Sequence, residues 1–380
     1  MNSGKTKETG RSRKKFYQKK WFWGVAAVLL LVLVAVGVFA YKTGYMLNKI
    51  SGGDGNPIST LFGGAVDLQE QEGRTNILLL GMRGADDPHG GLLADSIILL
   101  SINQKDNKVA LISIPRDLYV QIPGTEERGK LNSVYAHWES GGKKQGIAKM
   151  EDMIGQIAGL KINYAIAINF EGFQQLIDAV GGVDIHLSKT FYETKQFVEG
   201  NECGGTFTLP AGTNHLDGTK ALCYVRAREQ TSDFDRSKRQ QVVLKALETK
   251  MLSLGTLADF SKINNILNAI GDNVTTDMTP DEMKGLYGQY GNMKDAQIVQ
   301  RVFENSEKGL LEVPAANTGL GYVLVPRAGQ DNYSQMQEAC RNVFVDEAQK
   351  DVDPVVQSGL PTTGSETKST SKTGTSTSSK

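Results

Sequence analysis

The sequence predicts a mixed α/β (α+β) fold, a central β-sheet flanked by helices and preceded by one N-terminal transmembrane helix. Three observations carry that expectation. From Arg74 to about Val345, strand-like apolar runs take turns with segments of helical period, the pattern of a domain built from layered sheet and helix. Ahead of it stands Trp21 to Tyr41, an uncharged and mostly apolar run. Behind it, from Gln357 onward, the chain is rich in Ser, Thr, Gly and Lys with almost nothing apolar, so it cannot bury a core. The expected organisation is a basic tail over 1–20, a membrane helix over 21–41, a Gly-rich linker over 42–73, one folded domain over 74–345 and a disordered tail over 346–380.

The net charge of zero hides a polarised chain. Residues 1–20 hold eight Lys/Arg against Glu8 alone, which leaves 34 basic and 41 acidic groups for the other 360 residues. At about 1.5 Å per helical residue, the run 21–41 is long enough to cross a hydrocarbon core of about 30 Å. Cations flanking such a span stay cytoplasmic, so everything after Tyr41 is expected outside, in a single-pass cell-membrane protein. A cleavable signal peptide is the rival, with Val38-Phe39-Ala40 as its cleavage site; the apolar run exceeds the length of a signal h-region, which favours an anchor.

In the folded part, Asn76 to Gly81 reads as a buried strand, followed by a polar Gly-rich loop from Met82 to Gly91. Strands at Ser96 to Asn103 and Lys108 to Ile114 are joined by Gln104-Lys105-Asp106-Asn107, a hairpin turn. Pro115 cannot donate to a ladder, so it ends the strand and leaves Arg116 and Asp117 at the rim of the sheet. Ile147 to Leu160 has helical spacing, Ile162 to Asn169 alternates as a strand, and Glu171 to Val180 is helical until Gly181-Gly182 stops it before a strand at Val183 to Leu187. The stretch Tyr224-Val225-Arg226-Ala227-Arg228 reads as a further strand, with a long helix from about Asp235 to Leu254 after it.

That last stretch carries the chemistry. In a strand Arg226 and Arg228 project to one side, and in the helix Arg236, Arg239 and Gln240 lie at i, i+3 and i+4, so two elements aim guanidinium groups at one point. Guanidinium forks match phosphate oxygens bidentately and stay charged. The alternative is a solvated face on which Asp233 and Asp235 pair the arginines. Cys203, Cys223 and Cys340, with histidines at 89, 137, 186 and 215, fit no zinc pattern. Cys203 with Cys223 is the first disulfide to test, since a turn-rich segment at Cys203 can fold back on the Cys223 strand; buried free cysteine is the alternative.

The ordered series Asn76 to Gly81, Ala94-Asp95-Ser96, Ser113 to Asp117, Lys130-Leu131-Asn132, Asn169 to Phe173, Asp178 to Asp184, Gly212 to Gly218, Tyr224 to Arg228 and Arg236 to Gln241 closely resembles the LytR-CpsA-Psr family, with matching order and spacing over 76–241. The resemblance implies a membrane-anchored, outward-facing phosphotransferase that moves a glycopolymer from a polyprenyl-pyrophosphate carrier to peptidoglycan or a related envelope glycan, usually with Mg²⁺. It implies that Arg116, Arg226, Arg228, Arg236, Arg239 and Gln240 surround the pyrophosphate, that Asp95 holds the metal, and that Lys130 and Asn132 lie near the site. Asp117 would orient Arg116 or help deprotonate the acceptor hydroxyl. The chain departs from the family at Met82 and Arg83, where many members carry an acidic residue, and Asp86, Asp87 and His89 are the substitutes left open for a second carboxylate.

A long carrier lipid requires an apolar groove beside the arginines. On the strand 162–169 the small side chains Ala165 and Ala167 share a face and leave room for it; the alternative is that they admit a closely packed helix such as Ile147 to Leu160. Leu360-Pro361-Thr362-Thr363-Gly364 matches a sortase pentapeptide, but no apolar span and basic end follow, so the match is read as incidental. Three functions remain open: the glycopolymer phosphotransferase, a hydrolase acting on the same pyrophosphate carrier, and a non-enzymatic protein that binds or displays at the wall. No nucleic acid partner is expected. The donor polymer, the acceptor glycan and the oligomeric state are not legible.

Overall fold

The computed structural model describes residues 73–345, apart from 88–89, 199–201, 254–265, 267–269, 280–281, 283–285, 287–295 and 316–317. The expected basic tail, membrane helix, linker and Ser/Thr-rich tail lie outside the described residues, as does His89. Among the described residues no helix is long and apolar enough to cross a membrane.

Three long strands start the fold: β1 (Arg74–Met82), β2 (Ser96–Asn103) and β3 (Lys108–Ser113). A turn with Asn107 at φ 52° joins β2 to β3 as an antiparallel hairpin, as the polar tetrapeptide predicts. A short ribbon, β4 (Tyr119–Gln121) with β5 (Arg128–Lys130), leads to α1 (Ser133–Glu139) and α2 (Gly146–Ala158). Then come β6 (Tyr164–Asn169), α3 (Phe170–Ala179) and β7 (Val183–Leu187). Gly181 and Gly182, at φ 76° and 78°, stop α3 where the sequence places the break. An excursion with β8 (Phe191–Glu193) paired to β9 (Phe207–Leu209) precedes β10 (Gly212–Leu216), which pairs with β7 rather than with the central sheet. Next are α4 (Gly218–Arg226), α5 (Asp233–Ser253), β11 (Val274–Thr276), β12 (Gln297–Val302), the short β13 (Leu311–Glu312) and β14 (Val325–Pro326), and α6 (Ser334–Arg341).

The arginine stretch is therefore helix, not strand, as far as Arg226. Asp217 caps the helix by accepting from Lys220 N, and Ala221, Leu222, Cys223, Tyr224 and Val225 are all buried. A helix enclosed on most sides has a continuous apolar run, and such a run has no period by which to separate it from a strand.

The central sheet has the order β11-β6-β1-β2-β3-β12, parallel at β1/β6 and β3/β12 and antiparallel elsewhere. Alternation gives it two faces. One carries Leu78, Leu80, Leu99, Ile112, Ala165 and Ala167, buried against Met150, Met153, Ile154, Ile157 and Ala158 of α2. The other carries Leu79, Gly81, Ser96, Ile98, Ile166 and Ile168, in register across three strands. Leu79, Gly81 and Ile168 on that face are only half-buried, because the helices above it leave a cavity.

Candidate functional site

The cavity measures about 530 Å³. Its floor is the sheet face just described, and Leu222, Val225, Leu244 and Leu247 of α4 and α5 wall its apolar part. At its other part stand Arg83, Asp95, Arg116, Arg226, Arg228, Arg236 and Gln240. One space is thus greasy along the sheet and cationic at the strand ends.

Arg116 follows β3 immediately after Pro115, and Asp95 precedes β2, so the β2/β3 pairing brings the two side chains together: Arg116 Nη1 donates to Asp95 Oδ1 at 2.5 Å. The arginines are held mainly by Asp233 in the first turn of α5. Its Oδ2 accepts from Arg116 Nε at 3.1 Å and from Arg236 Nη2 at 2.8 Å, and Arg228 Nη1 lies 3.6 Å from Oδ1. A reciprocal cap fixes this turn, since Ser232 Oγ accepts from Asp235 N while Asp235 Oδ2 accepts from Ser232 N. Burial alone would raise the Asp233 carboxyl, but Arg236, Arg116 and Arg228 hold it below the usual carboxylate range. The Arg236 guanidinium is pushed down to about 10, by burial first and by Arg116 next. Its buried Nε has no hydrogen-bond partner among the described residues. Burial acts against Arg116 too, yet Asp233, Asp95 and Asp117 raise it overall.

Arg226, at the C-terminus of α4, lies with its guanidinium carbon 4.8 Å from the Phe170 ring centroid and 5.6 Å from that of Phe197; Arg83 faces Phe170 at 5.6 Å. The ring's negative face allows two cations to approach one another. Gln240 accepts from Ser96 Oγ at 3.0 Å, which ties α5 to the floor.

Six of the sequence-predicted residues lie elsewhere. Arg239 is 3% exposed and turns away from the cavity: Nε donates to Tyr224 O at 3.1 Å, and Nη2 donates to Ala227 O and Thr231 Oγ1. It satisfies carbonyls that the end of α4 leaves without helical partners. Lys130 bonds Asp117 Oδ1 at 2.7 Å, and Asp117 lies 3.5 Å from Arg116 Nε; neither lines the cavity. Asn132 is buried behind them, its N donating to Arg116 O. The groove expected at Ala165 and Ala167 is corrected: both sit under α2, and Ile166 and Ile168 of the same strand face the cavity. Small side chains there admit a helix, not a ligand.

Asp233 pairs Arg116, Arg228 and Arg236, the ion pairing that the sequence offered as its alternative reading of the arginine stretch. Arg83, Phe170 and Gln196 are wall residues that sequence reasoning did not place, because they become adjacent only through tertiary packing. Cys203 and Cys223 form a disulfide with Cα atoms 6.0 Å apart, and Cys340 is free and buried.

Among the described residues no three His, Cys, Asp or Glu side chains converge as a metal cage. Asp95 is the aspartate on the cavity wall, Glu229 lines it further out, and Asp87 is engaged by Arg83 at 3.4 Å. This donor set fits a magnesium ion only with one carboxylate from Asp95 and phosphate or water oxygens in the other positions.

The family model of the LytR_cpsA_psr family matches residues 38–337. The chain belongs to the LytR-CpsA-Psr family. It is 30% identical over 326 residues to a protein of Bacillus anthracis named polyisoprenyl-teichoic acid–peptidoglycan teichoic acid transferase TagU, covering 83% of this chain and 95% of that one. A protein of the same name from Bacillus mycoides is 28% identical over 338 residues, covering 85% of this chain and 98% of that one. The fold matches the crystal structure of Bacillus subtilis TagV with a TM-score of 0.53 at 24% identity, over 72% of this chain and 98% of that one.

Proposed function

We propose that this protein transfers a glycopolymer from a polyprenyl-pyrophosphate carrier to peptidoglycan. The observation that carries the reading is a single cavity that joins an apolar floor to the cluster Arg116, Arg226, Arg228 and Arg236. A lipid tail and a pyrophosphate require those two environments side by side. The teichoic acid transferases named above support the same reaction class.

In the reaction an acceptor hydroxyl oxygen bonds to the phosphorus next to the glycopolymer, the bridging P–O bond breaks, and polyprenyl monophosphate leaves; the hydroxyl proton ends in bulk water. Negative charge spreads over phosphoryl oxygens on the way, so preorganised cations are the main catalytic resource. Asp233 keeps Arg116, Arg228 and Arg236 converged. Asp117, paired with Lys130 and Arg116, steadies the strand end from behind. Asp95 would hold a magnesium ion, which would supply further charge neutralisation at the pyrophosphate.

The run 21–41 anchors the protein in the cell membrane with residues 1–20 cytoplasmic, supported by the charge step at Lys20. The Cys203–Cys223 disulfide supports an oxidising exterior for the domain. The test is incubation of the detergent-solubilised chain with a lipid-pyrophosphate-linked glycopolymer, with and without a peptidoglycan oligomer. Polymer joined to the oligomer, with release of polyprenyl phosphate, is the expected product. Release that is indifferent to the acceptor would make the protein a hydrolase, and no release would end both readings.

A further inference from the structure

The backbone that presents Arg226 and Arg228 is not held by α4 itself. The helix ends at Arg226, and Ala227 leaves it at φ −55°, ψ 132°. Arg226 O and Arg228 N are therefore beyond the reach of helical pairing. Both are satisfied by one side chain from the excursion between β8 and β9: Gln196 Nε2 donates to Arg226 O at 3.0 Å, and Gln196 Oε1 accepts from Arg228 N at 2.7 Å. The amide brackets Ala227 as a neighbouring strand would.

Gln196 is itself braced. Glu193, 1% exposed, accepts from Lys195 N and Gln196 N on one oxygen and from Gln230 N on the other, so one carboxylate joins the excursion to the chain just past Arg228. Thr194 N donates to Gln230 Oε1 at 3.1 Å. Next to Gln196, Phe197 is buried and faces the Arg226 guanidinium. Further on, the Cys203–Cys223 disulfide pins the excursion to α4 three residues before Arg226. From the opposite side Arg239 grips Ala227 O and Tyr224 O.

We propose that Gln196 is a positioning residue for the pyrophosphate site, setting the spacing and direction of Arg226 and Arg228 through their backbone. This rests on the reading of the cavity as a pyrophosphate site. The excursion is then part of the site's machinery: a side chain from residues far from either arginine motif decides whether two guanidinium groups converge. Gln196 suits the role because one planar amide supplies both the donor and the acceptor that the bracket needs. A glutamate would keep the acceptor and lose the donor.

The experiment compares wild type with Gln196→Ala, Gln196→Glu, Arg228→Ala and the double variant Gln196→Ala/Arg228→Ala in the detergent-solubilised full chain. Hydrogen exchange is read on the peptide 224–231, and the Kd of farnesyl pyrophosphate is read by calorimetry. Gln196→Ala is expected to quicken exchange at the Arg228 amide and to weaken binding about tenfold, the effect of losing two hydrogen bonds. Gln196→Glu should retain protection at that amide. In the Arg228→Ala background the added loss from Gln196→Ala should shrink to below about threefold, because a positioning residue has less left to position. Unchanged exchange at Arg228 would overturn the proposal, and so would an undiminished tenfold loss in the double variant, which would make Gln196 a direct ligand. If the wild type failed to bind the probe, the pyrophosphate reading would fall, while the exchange of Arg228 would still decide whether Gln196 holds the loop.

Discussion

The two faces of the central sheet have nearly the same strand chemistry and opposite fates. Toward α2, Leu78, Leu99, Ala165 and Ile157 are 0% exposed, and the layer is filled. Toward α4 and α5, Ile98 and Ile166 are buried while Leu79 and Ile168 stay half-open around the cavity. Apolar composition is common to both, so burial of oil-like side chains does not by itself distinguish a filled core from a face that borders a cavity. What distinguishes them is the covering layer. The helix α2 lies on the sheet and closes against Ala165 and Ala167, whereas α4 and α5 meet the opposite face with arginines and with Leu222, Val225, Leu244 and Leu247 set around a cavity.

If the α2 face is purely structural, Ile157→Ala should cost about 2–5 kcal/mol of stability by denaturant titration, the range for deleting a fully buried aliphatic side chain. Affinity for a lipid pyrophosphate should not change in the protein that remains folded. On the other face the expectation reverses. Arg228→Ala, whose side chain is 39% exposed, should leave the unfolding midpoint nearly unchanged and reduce transfer on the order of 10²–10³-fold. Unaltered turnover in that variant would remove Arg228 from the site.

A smaller effect separates the two faces within one strand. Ile168→Trp should fill the cavity and weaken a long-chain carrier about tenfold, from an overpacking cost of roughly 1–3 kcal/mol, while a short-chain pyrophosphate binds as before. Its neighbour Ala167→Leu should lower stability and leave the preference for chain length alone. If Ala167→Leu instead altered that preference, the assignment of faces would be wrong.

A further contrast between the two covering layers is a slope. Each covering helix carries a carboxyl pushed up to about 8: Glu248 on α5 by burial, against the opposing Lys245, and Glu151 on α2 by burial first and Asp277 next. A carboxyl that binds its proton more tightly when folded makes stability fall as pH rises from its ordinary value near 4.5 through about 8. Glu248→Gln and Glu151→Gln should each flatten that fall, read as melting temperature against pH. An unchanged slope in both would show that neither carboxyl is protonated in the folded protein at neutral pH.

Much of the sheet was legible because its strands are bounded by polar turns and their apolar runs are short. β2 and its turn into β3 stand where the pattern places them, and α2 follows from helical spacing at 147–160. The arginine motifs were legible as chemistry, but spacing alone could not orient them. Arg236 and Arg239 share a helix face by arithmetic, yet Arg239 is captured by the unpaired carbonyls of α4, which no count along α5 reveals. The strand assigned to Tyr224 to Arg228 failed because a helix buried on several sides has no readable period. The groove was placed on the wrong side of β6 for a related reason: side-chain size shows where space could exist, and only the partner layer shows whether it is filled.

The alternation of β6 has a consequence for how this protein can change over generations. Tyr164, Ile166 and Ile168 look one way and Ala165 and Ala167 the other, locked by pairing with Leu79 and Gly81 on β1. Loss or gain of a single codon within this strand would exchange the two sets, driving bulky aliphatic groups under α2 and putting methyl groups into the cavity. Lineages can therefore retune the pocket by point substitution at 166 or 168, but an odd-numbered insertion or deletion there would destroy the core and reshape the pocket at once.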